Sequence, residues 1–307
     1  MLTILNAPRQ RRFVLDAFGA DGALPAPWQV TNSVWAITSG KAVATPTLGA
    51  ELIVNGGFDA NTNWTKGSGW TIGSGVAAHA AGSASNLTQA VLTANNWYRA
   101  AWDIATTDGG QMYAIFGGQG GVRVQTTTGS KVDTNLCITS TTAGLRAQTA
   151  SLVGTVDNVS YKKLTLSDMF ATRPDLPINA EIAVMPTIVS GFQAGAVGWL
   201  DDYTAPANFI FASFNVGTTA NPLRLVKCVA GVYTDLIAAA PSYVAGAALR
   251  IRGRKSGANL LVSMFYNNAQ IGTEQTVSDA GIVSNTNHGM FSTSVENTID
   301  SFRVTYL

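Results

Sequence analysis

The chain has 307 residues, of which 46% are hydrophobic, 31 are glycine and only 12% are charged, with a formal net charge of +1. Charged residues thus stand at about half their usual share, so Ser, Thr, Asn, Gln and Gly must cover the surface. The near-neutral balance leaves no basic field for a phosphate backbone, which sets nucleic acid aside, and no window reaches the roughly eighteen uninterrupted apolar residues of a membrane-spanning helix.

Single cores stop growing near about 250 to 300 residues, so two domains fit this length better than one. Residues 1–15 begin with Met1-Leu2-Thr3-Ile4-Leu5, too short for the apolar region of an export signal, and Arg9, Arg11 and Arg12 follow it instead of preceding it. They read as a short docking arm, with no Sec-type signal peptide. Trp35-Ala36-Ile37-Thr38-Ser39-Gly40 is matched further on by Trp70-Thr71-Ile72-Gly73-Ser74-Gly75, and the equivalent places of Trp35 and Trp70 suggest core slots. From Tyr98 to Ile104 the chain alternates, with Tyr98, Ala100, Trp102 and Ile104 on one face and Arg99 and Asp103 on the other, the pattern of a half-buried strand. Gly117-Gly118-Gln119-Gly120-Gly121 precedes Val122-Arg123-Val124, which reads as a strand. The glycines are therefore a hairpin loop, because a phosphate cradle needs a helix N-terminus behind it.

Leu249 and Ile251 point inward against Arg250, Arg252 and Arg254, and a Lys255–Ala258 turn leads into Leu260–Tyr266, which together predict a hairpin. A second turn at Asn267-Asn268 continues into Gln270-Ile271-Gly272. No long stretch carries a 3.6-residue stripe, so the fold class is all-β, with antiparallel β-sandwich (jelly-roll) domains.

Thr155-Val156-Asp157-Asn158-Val159 has its counterpart in Thr298-Ile299-Asp300-Ser301-Phe302. With the tryptophan pair, two opening signatures precede two closing ones. Tandem domains would read open, close, open, close. The order found here predicts an inner domain over 51–163 inserted into a discontinuous outer domain of 16–50 plus 164–307, one nested within the other. Insertion is cheap where a surface loop is replaced by a domain whose termini lie close together. Pro46 and Gly49 on the entry side and Lys162-Lys163 on the exit side suit such junctions.

Trp64 and Trp97 are the candidate sugar platforms, because both lie in Asn-rich, loop-like surroundings, Asn61-Thr62-Asn63 and Asn95-Asn96. An exposed ring stacks on the apolar side of a pyranose while amides bond its hydroxyls; packing inside a loop is the alternative. Trp199-Leu200-Asp201-Asp202-Tyr203 sets two carboxylates beside aromatics, which suits a hydroxylated ligand or Ca²⁺, or equally a solvated acidic turn. Catalytic sets are missing. His79 and His288 are the only histidines, and Cys137 and Cys228 read as buried free thiols with no nucleophile context. Glu296 and Asp300 stand four apart, but as a polar turn followed by a closing-strand residue.

Glu51-Leu52-Ile53-Val54-Asn55-Gly56-Gly57-Phe58-Asp59, Trp64, Gly69-Trp70 and the closing Gly154–Ser160 resemble the carbohydrate-binding-module jelly rolls of the galactose-binding-like superfamily. Asp16-Ala17-Phe18, Gly195–Asp202 and Asp300–Val304 resemble concanavalin A-like lectin/laminin-G sandwiches, although the Glu-x-Asp-x-x-Glu motif of the glycosidases of that fold does not occur. The first resemblance implies a structural Ca²⁺ near Asp59 and Asp157, with Asp59 standing where that motif often has Glu. No cofactor is otherwise required.

Such module pairs resemble accessory proteins of tailed-bacteriophage virions. The expectation is therefore a non-enzymatic virion surface protein: a tail appendage such as a tail fiber, a head spike, or a capsid decoration subunit. It would be made in the host cytoplasm and contact capsid or tail proteins and host-surface glycans in host attachment, with homo-oligomer formation favoured by sandwich edges and a low-charge surface. The alternatives are a purely structural virion subunit without ligand and an accessory module of a secreted polysaccharide-active enzyme.

Overall fold

The computed structural model describes residues 13–31, 34–106, 110–117, 119–120 (backbone), 126–217 and 220–307. Among these, every regular element is a β-strand except one 3₁₀ turn, Leu166–Met169. All strand pairs are antiparallel, and they form four sheets.

Sheet I runs Gly22–Ala23, Trp35–Thr38, Lys41–Ala44, Thr298–Tyr306, Ala180–Thr187, Leu249–Ser256, Asn259–Tyr266, Ala269–Val277, with Phe13–Asp16 also on Thr298–Tyr306. Sheet II runs Val232–Ala239, Leu223–Val229, Phe209–Asn215, Gln193–Leu200, Asn287–Ser292, Phe170–Arg173, Gln29–Val30. Sheet III runs Gly129–Cys137, Asn96–Thr106, Gly154–Leu164, Val76–His79, Trp70–Gly73, with Leu48–Glu51 also on Gly154–Leu164. Sheet IV runs Gln119–Gly120, Met112–Phe116, Thr142–Ala147, Ser85–Ala90, Thr65–Lys66.

Sheets I and II close on a core that includes Trp35, Trp199, Phe214 and Phe302. Sheets III and IV close on another, built around Phe58, Trp70, Trp102, Phe116 and Tyr161. A third cluster joins sheet II to sheet III through Trp97, Leu136, Phe209, Phe211, Tyr233 and Phe291. The sheets therefore stack as layers in the order I, II, III, IV.

The weak sequence repeat is a repeated structural unit. Trp35–Thr38 and Lys41–Ala44 form a two-residue hairpin at Ser39-Gly40, and Trp70–Gly73 and Val76–His79 form its twin at Ser74-Gly75. Both turns hold positive φ at both residues, 52° and 71° in the first and 53° and 75° in the second, as a hairpin matched to strand twist requires. The closing strands then meet equivalent alanines, Ile299 opposite Ala42 and Val156 opposite Ala77. The predicted arginine-faced hairpin is present too, and the turn after it bends at Asn267 and Asn268, both at positive φ.

The last residues of the predicted arm over 1–15 are part of sheet I. Phe13, Val14 and Leu15 belong to a strand paired with Thr305, Val304 and Arg303, and positions 1–12 lie outside the described residues. The strand hides in the sequence because Phe13 and Leu15 are apolar yet exposed while Val14 turns inward. In the glycine-rich loop, Gln119–Gly120 pairs back onto Ile115 and Phe116, and Val122-Arg123-Val124 lie outside the described residues.

Glu51 ties the opening strand of sheet III to its closing strand. Its Oε1 accepts from the backbone N–H of Leu52 and Ile53 at 3.0 Å and Tyr161 at 2.8 Å, and Oε2 accepts from the Ser160 hydroxyl. Hydrogen bonds to a charged acceptor contribute about 1.5–3 kcal/mol, and orphaned donors cost more than exposed ones. Glu51→Ala should therefore lower stability by about 2 kcal/mol in urea unfolding. A change within the scatter of surface substitutions would show that the carboxylate holds nothing.

Candidate functional site

Each predicted site residue has a definite place, and most are committed to structure. Trp64 is only 8% exposed; its indole N–H donates to the Asn55 carbonyl at 2.9 Å and its ring lies 5.2 Å from Phe58, inside the III/IV core. Trp199 is fully buried, its N–H groups donating to His288 Nδ1 at 3.1 Å and, from the indole, to Ile178 O at 2.9 Å. Trp97 is 3% exposed and packs in the seam between sheets II and III. Neither Trp64 nor Trp97 is the exposed stacking face that the sequence suggested, because a loop covers the one and a neighbouring sheet the other.

The acidic pair is a turn lock. Asp201 accepts from the backbone N–H of Asp202, Ala207 and Asn208 and from the Asn208 side chain at 2.7–3.1 Å. Asp202 accepts from the Thr204 N–H and hydroxyl, and those bonds hold its carboxyl below the ordinary range. Tyr203 is half-buried against the seam. Asp59 is exposed, and Asp157 Oδ1 accepts from Asn158 N at 2.7 Å. Among the described residues no group of three or more Asp, Glu, His or Cys is placed to hold a metal.

The histidines and thiols are likewise structural. Burial pushes the His288 pKa down to about 4 and the Cys228 thiol up to about 12, and it raises Cys137 as well, so neither thiol is an activated nucleophile. His79 spans Leu152 O at 2.9 Å and Ser85 Oγ at 3.4 Å. Asp300 is paired with Lys41 at 2.9 Å, which leaves Glu296 without a facing partner acid.

The site the structure does build lies in the seam. In Phe209–Asn215, Ile210, Ala212 and Phe214 enter the I/II core, while Phe211, Ser213 and Asn215 turn the other way toward sheet III. Gln193 and Val197, and Arg224, Val226 and Cys228, do the same on the flanking strands. Sheet II is thus covered on both faces. At one end of the seam its outer face is apolar, and Trp97 is clasped by Phe291 at 5.5 Å, Phe211 at 6.2 Å and Tyr233 at 6.5 Å. At the other end the face turns polar and the sheets part.

That polar end is a narrow cleft of about 30 Å³, floored by Trp97 and Phe211 and lined by Asn135, Gln193, Ser213, Asn215, Asn221, Arg224 and Asp235. Gln193 Nε2 donates to Thr134 O across the seam at 3.0 Å, and the Ser213 hydroxyl reaches Gln193 Oε1 at 3.4 Å. Arg224 Nη1 meets Asp235 Oδ2 at 3.2 Å and its Nε donates to Asn221 O. Asn215 is 6% exposed, and its Oδ1 has no hydrogen-bond partner among the described residues. A buried amide oxygen without a donor costs about 1–3 kcal/mol. The wall offers acceptors, amide donors, a hydroxyl and a charge pair.

No family model matches the sequence, and no curated protein matches it. Solved structures align with the chain at TM-scores below 0.4. A xylan β-1,4-xylosidase from Bacillus halodurans C-125 is 13% identical, covering 46% of this chain and 31% of its own, with a TM-score of 0.35. The carbohydrate-binding module CBM66 from Bacillus subtilis is 10% identical over 45% of this chain and 77% of its own, with a TM-score of 0.31. The CBM2 module of the evolved Dit of Lactobacillus casei BL23 phage J-1 is 7% identical over 85% of this chain and 96% of its own, with a TM-score of 0.23. The chain spans about a third of the length of the xylosidase.

Proposed function

We propose that the chain is a glycan-binding, non-catalytic protein of a bacteriophage particle surface, with the seam cleft as its sugar site. The observation that carries the binding reading is the unpartnered Asn215 Oδ1 among convergent amides and the Arg224–Asp235 pair. Sugar hydroxyls both donate and accept, and this wall supplies both roles over an apolar floor. The virion setting rests on the likeness of the paired modules to tailed-phage accessory proteins. The same reading takes the sheet III/IV sandwich as a module inserted between the two sequence segments of the other.

Titration of the purified chain with a panel of neutral oligosaccharides, followed by ligand-observed NMR and calorimetry, tests this. Binding should be saturable, and Asn215→Ala should weaken it about tenfold or more, the loss of one good hydrogen bond, with the unfolding midpoint little changed, whereas Gln193→Ala should weaken binding and also lower the midpoint, because it removes the seam bond to Thr134 O. No binding across the panel, or binding indifferent to both substitutions, would leave the cleft as packing between sandwiches and favour the structural-subunit reading.

A further inference from the structure

The outward face of sheet I carries a second feature that the cleft does not use. Core residues alternate with it along every strand: Phe302 and Val304, Ile182 and Val184, Leu249 and Ile251, Val262 and Met264 all point into the I/II core. Their neighbours therefore face away, and the strand registers fix the layout. One row reads Leu15, Arg303, Ala183, Arg250, Phe265, Gln270, and the next reads Phe13, Thr305, Glu181, Arg252, Ser263. At about 4.8 Å between strands the first row is roughly 24 Å wide.

Four arginines, Arg250, Arg252, Arg254 and Arg303, stand on this face against two glutamates, Glu181 and Glu274. Glu181 is already saturated. Its Oε1 meets Arg250 Nη1 at 3.2 Å, and Oε2 takes Arg252 Nε at 2.9 Å and Nη2 at 2.6 Å. The same two guanidinium groups lie over the Phe265 ring at 5.1 and 4.9 Å. Clamped from the side by a carboxylate and from below by an aromatic, they are held in place before any partner arrives. Arg254 reaches Glu274 only at 3.9 Å, and Arg303 makes no ion pair among the described residues. Beside them stand large apolar side chains in water: Phe13 at 61% exposed, Leu15 at 52% and Met185 at 39%.

Held arginines next to exposed aromatic, Leu and Met side chains are the composition of a protein–protein contact core. We propose that this face docks an acidic protein surface, one that sets carboxylates over Arg254 and Arg303 and apolar side chains over Phe13, Leu15 and Met185. Charge complementarity selects that occupant. A second copy of the chain would oppose the same cationic excess, and an anionic polysaccharide would leave the Leu15–Met185 flank without a counterpart. The site is separate from the cleft, which lies on the far side of sheet II.

The test uses the whole chain and defined probes: an immobilised glutamate–tyrosine copolymer, poly-glutamate, polygalacturonate and phosphatidylglycerol vesicles. The copolymer should bind tightest, poly-glutamate about tenfold more weakly, and both should fall steeply as salt rises from about 50 to roughly 300 mM. Arg254→Gln with Arg303→Gln should weaken polypeptide binding about tenfold without moving the unfolding midpoint, since both side chains are exposed. Phe13→Ser should weaken the copolymer alone. The proposal is overturned if neither polypeptide binds at low salt, if the arginine pair is without effect, or if polygalacturonate or the vesicles bind tightest, which would reassign the face to a glycan or a membrane surface.

Discussion

Replacing Trp97 with alanine should destabilise the protein by about 3–5 kcal/mol and split a single unfolding transition into two. The size follows from the usual cost of truncating a buried tryptophan to alanine. The split follows from where the ring sits. Trp97 comes from sheet III, and the rings that clasp it, Phe211, Tyr233 and Phe291, come from sheet II. Each pair of sheets has its own core, so the lost contacts fall on the seam and not within either sandwich. Coupling between the sandwiches then drops below what a single cooperative transition needs.

Urea unfolding followed by tryptophan fluorescence and by far-UV circular dichroism reads both effects. Trp102→Ala is the control, because Trp102 lies within the III/IV core and should weaken that sandwich while leaving the seam packed. Coincident single transitions in Trp97→Ala, with a cost below about 1 kcal/mol, would mean that the seam is not an energetic joint. The cleft, whose floor is Trp97, would lose its support.

How much of this was legible in the sequence depends on how many faces of a strand are buried. Alternation placed Trp102 and Ile104 in a core and turned Arg250, Arg252 and Arg254 outward, and the structure has them so. Trp97 falls on the opposite face of its strand from Trp102, the one marked polar by Arg99 and Asp103. A second sheet covers part of that face, and Arg99 itself lies over the Phe192 ring of the neighbouring sandwich at 5.5 Å. Nothing local announces a second covering layer. Trp64 misled for another reason. The asparagines around it shape the loop instead of a ligand: Asn55 Nδ2 donates to Ala60 O at 2.6 Å and Thr62 O at 3.2 Å, folding the loop over the ring.

The cleft residues come from strands far apart in sequence, so no motif joins Gln193, Asn215 and Arg224. A signal was present all the same. Phe209-Ile210-Phe211-Ala212-Ser213-Phe214-Asn215 reads as a fully buried strand, yet Ser213 and Asn215 sit at period-2 positions on one face. Polar side chains at such spacing inside an apolar run mark a face that is covered and still has hydrogen bonds to make.

Acidification from neutral pH toward pH 4 should weaken the fold by about 3 kcal/mol through His288 alone. The ring is fully buried; Nδ1 accepts the Trp199 backbone N–H at 3.1 Å and Nε2 donates to the Pro177 carbonyl at 2.8 Å. A proton on Nδ1 would set a donor against a donor in a site without water contact, and burial is what holds the pKa at about 4 against an ordinary 6.5. The sign follows from which state takes up the proton. Between pH 6.5 and 4 the unfolded chain binds it and the folded chain does not, so stability falls with pH across that window and no further loss comes from this group below it. At about 1.4 kcal/mol per pKa unit the gap amounts to ~3 kcal/mol. His288→Gln should be less stable at pH 7.5, having lost a shaped partner for Trp199, yet should show a shallower decline between pH 6.5 and 5, above the range where most carboxylates titrate. Equal slopes for the two proteins would mean that the imidazole takes up its proton in the folded state. Because Trp199 and Gln193 share one strand, a slope that vanishes in the variant would also tie acid sensitivity to the strand that carries the cleft.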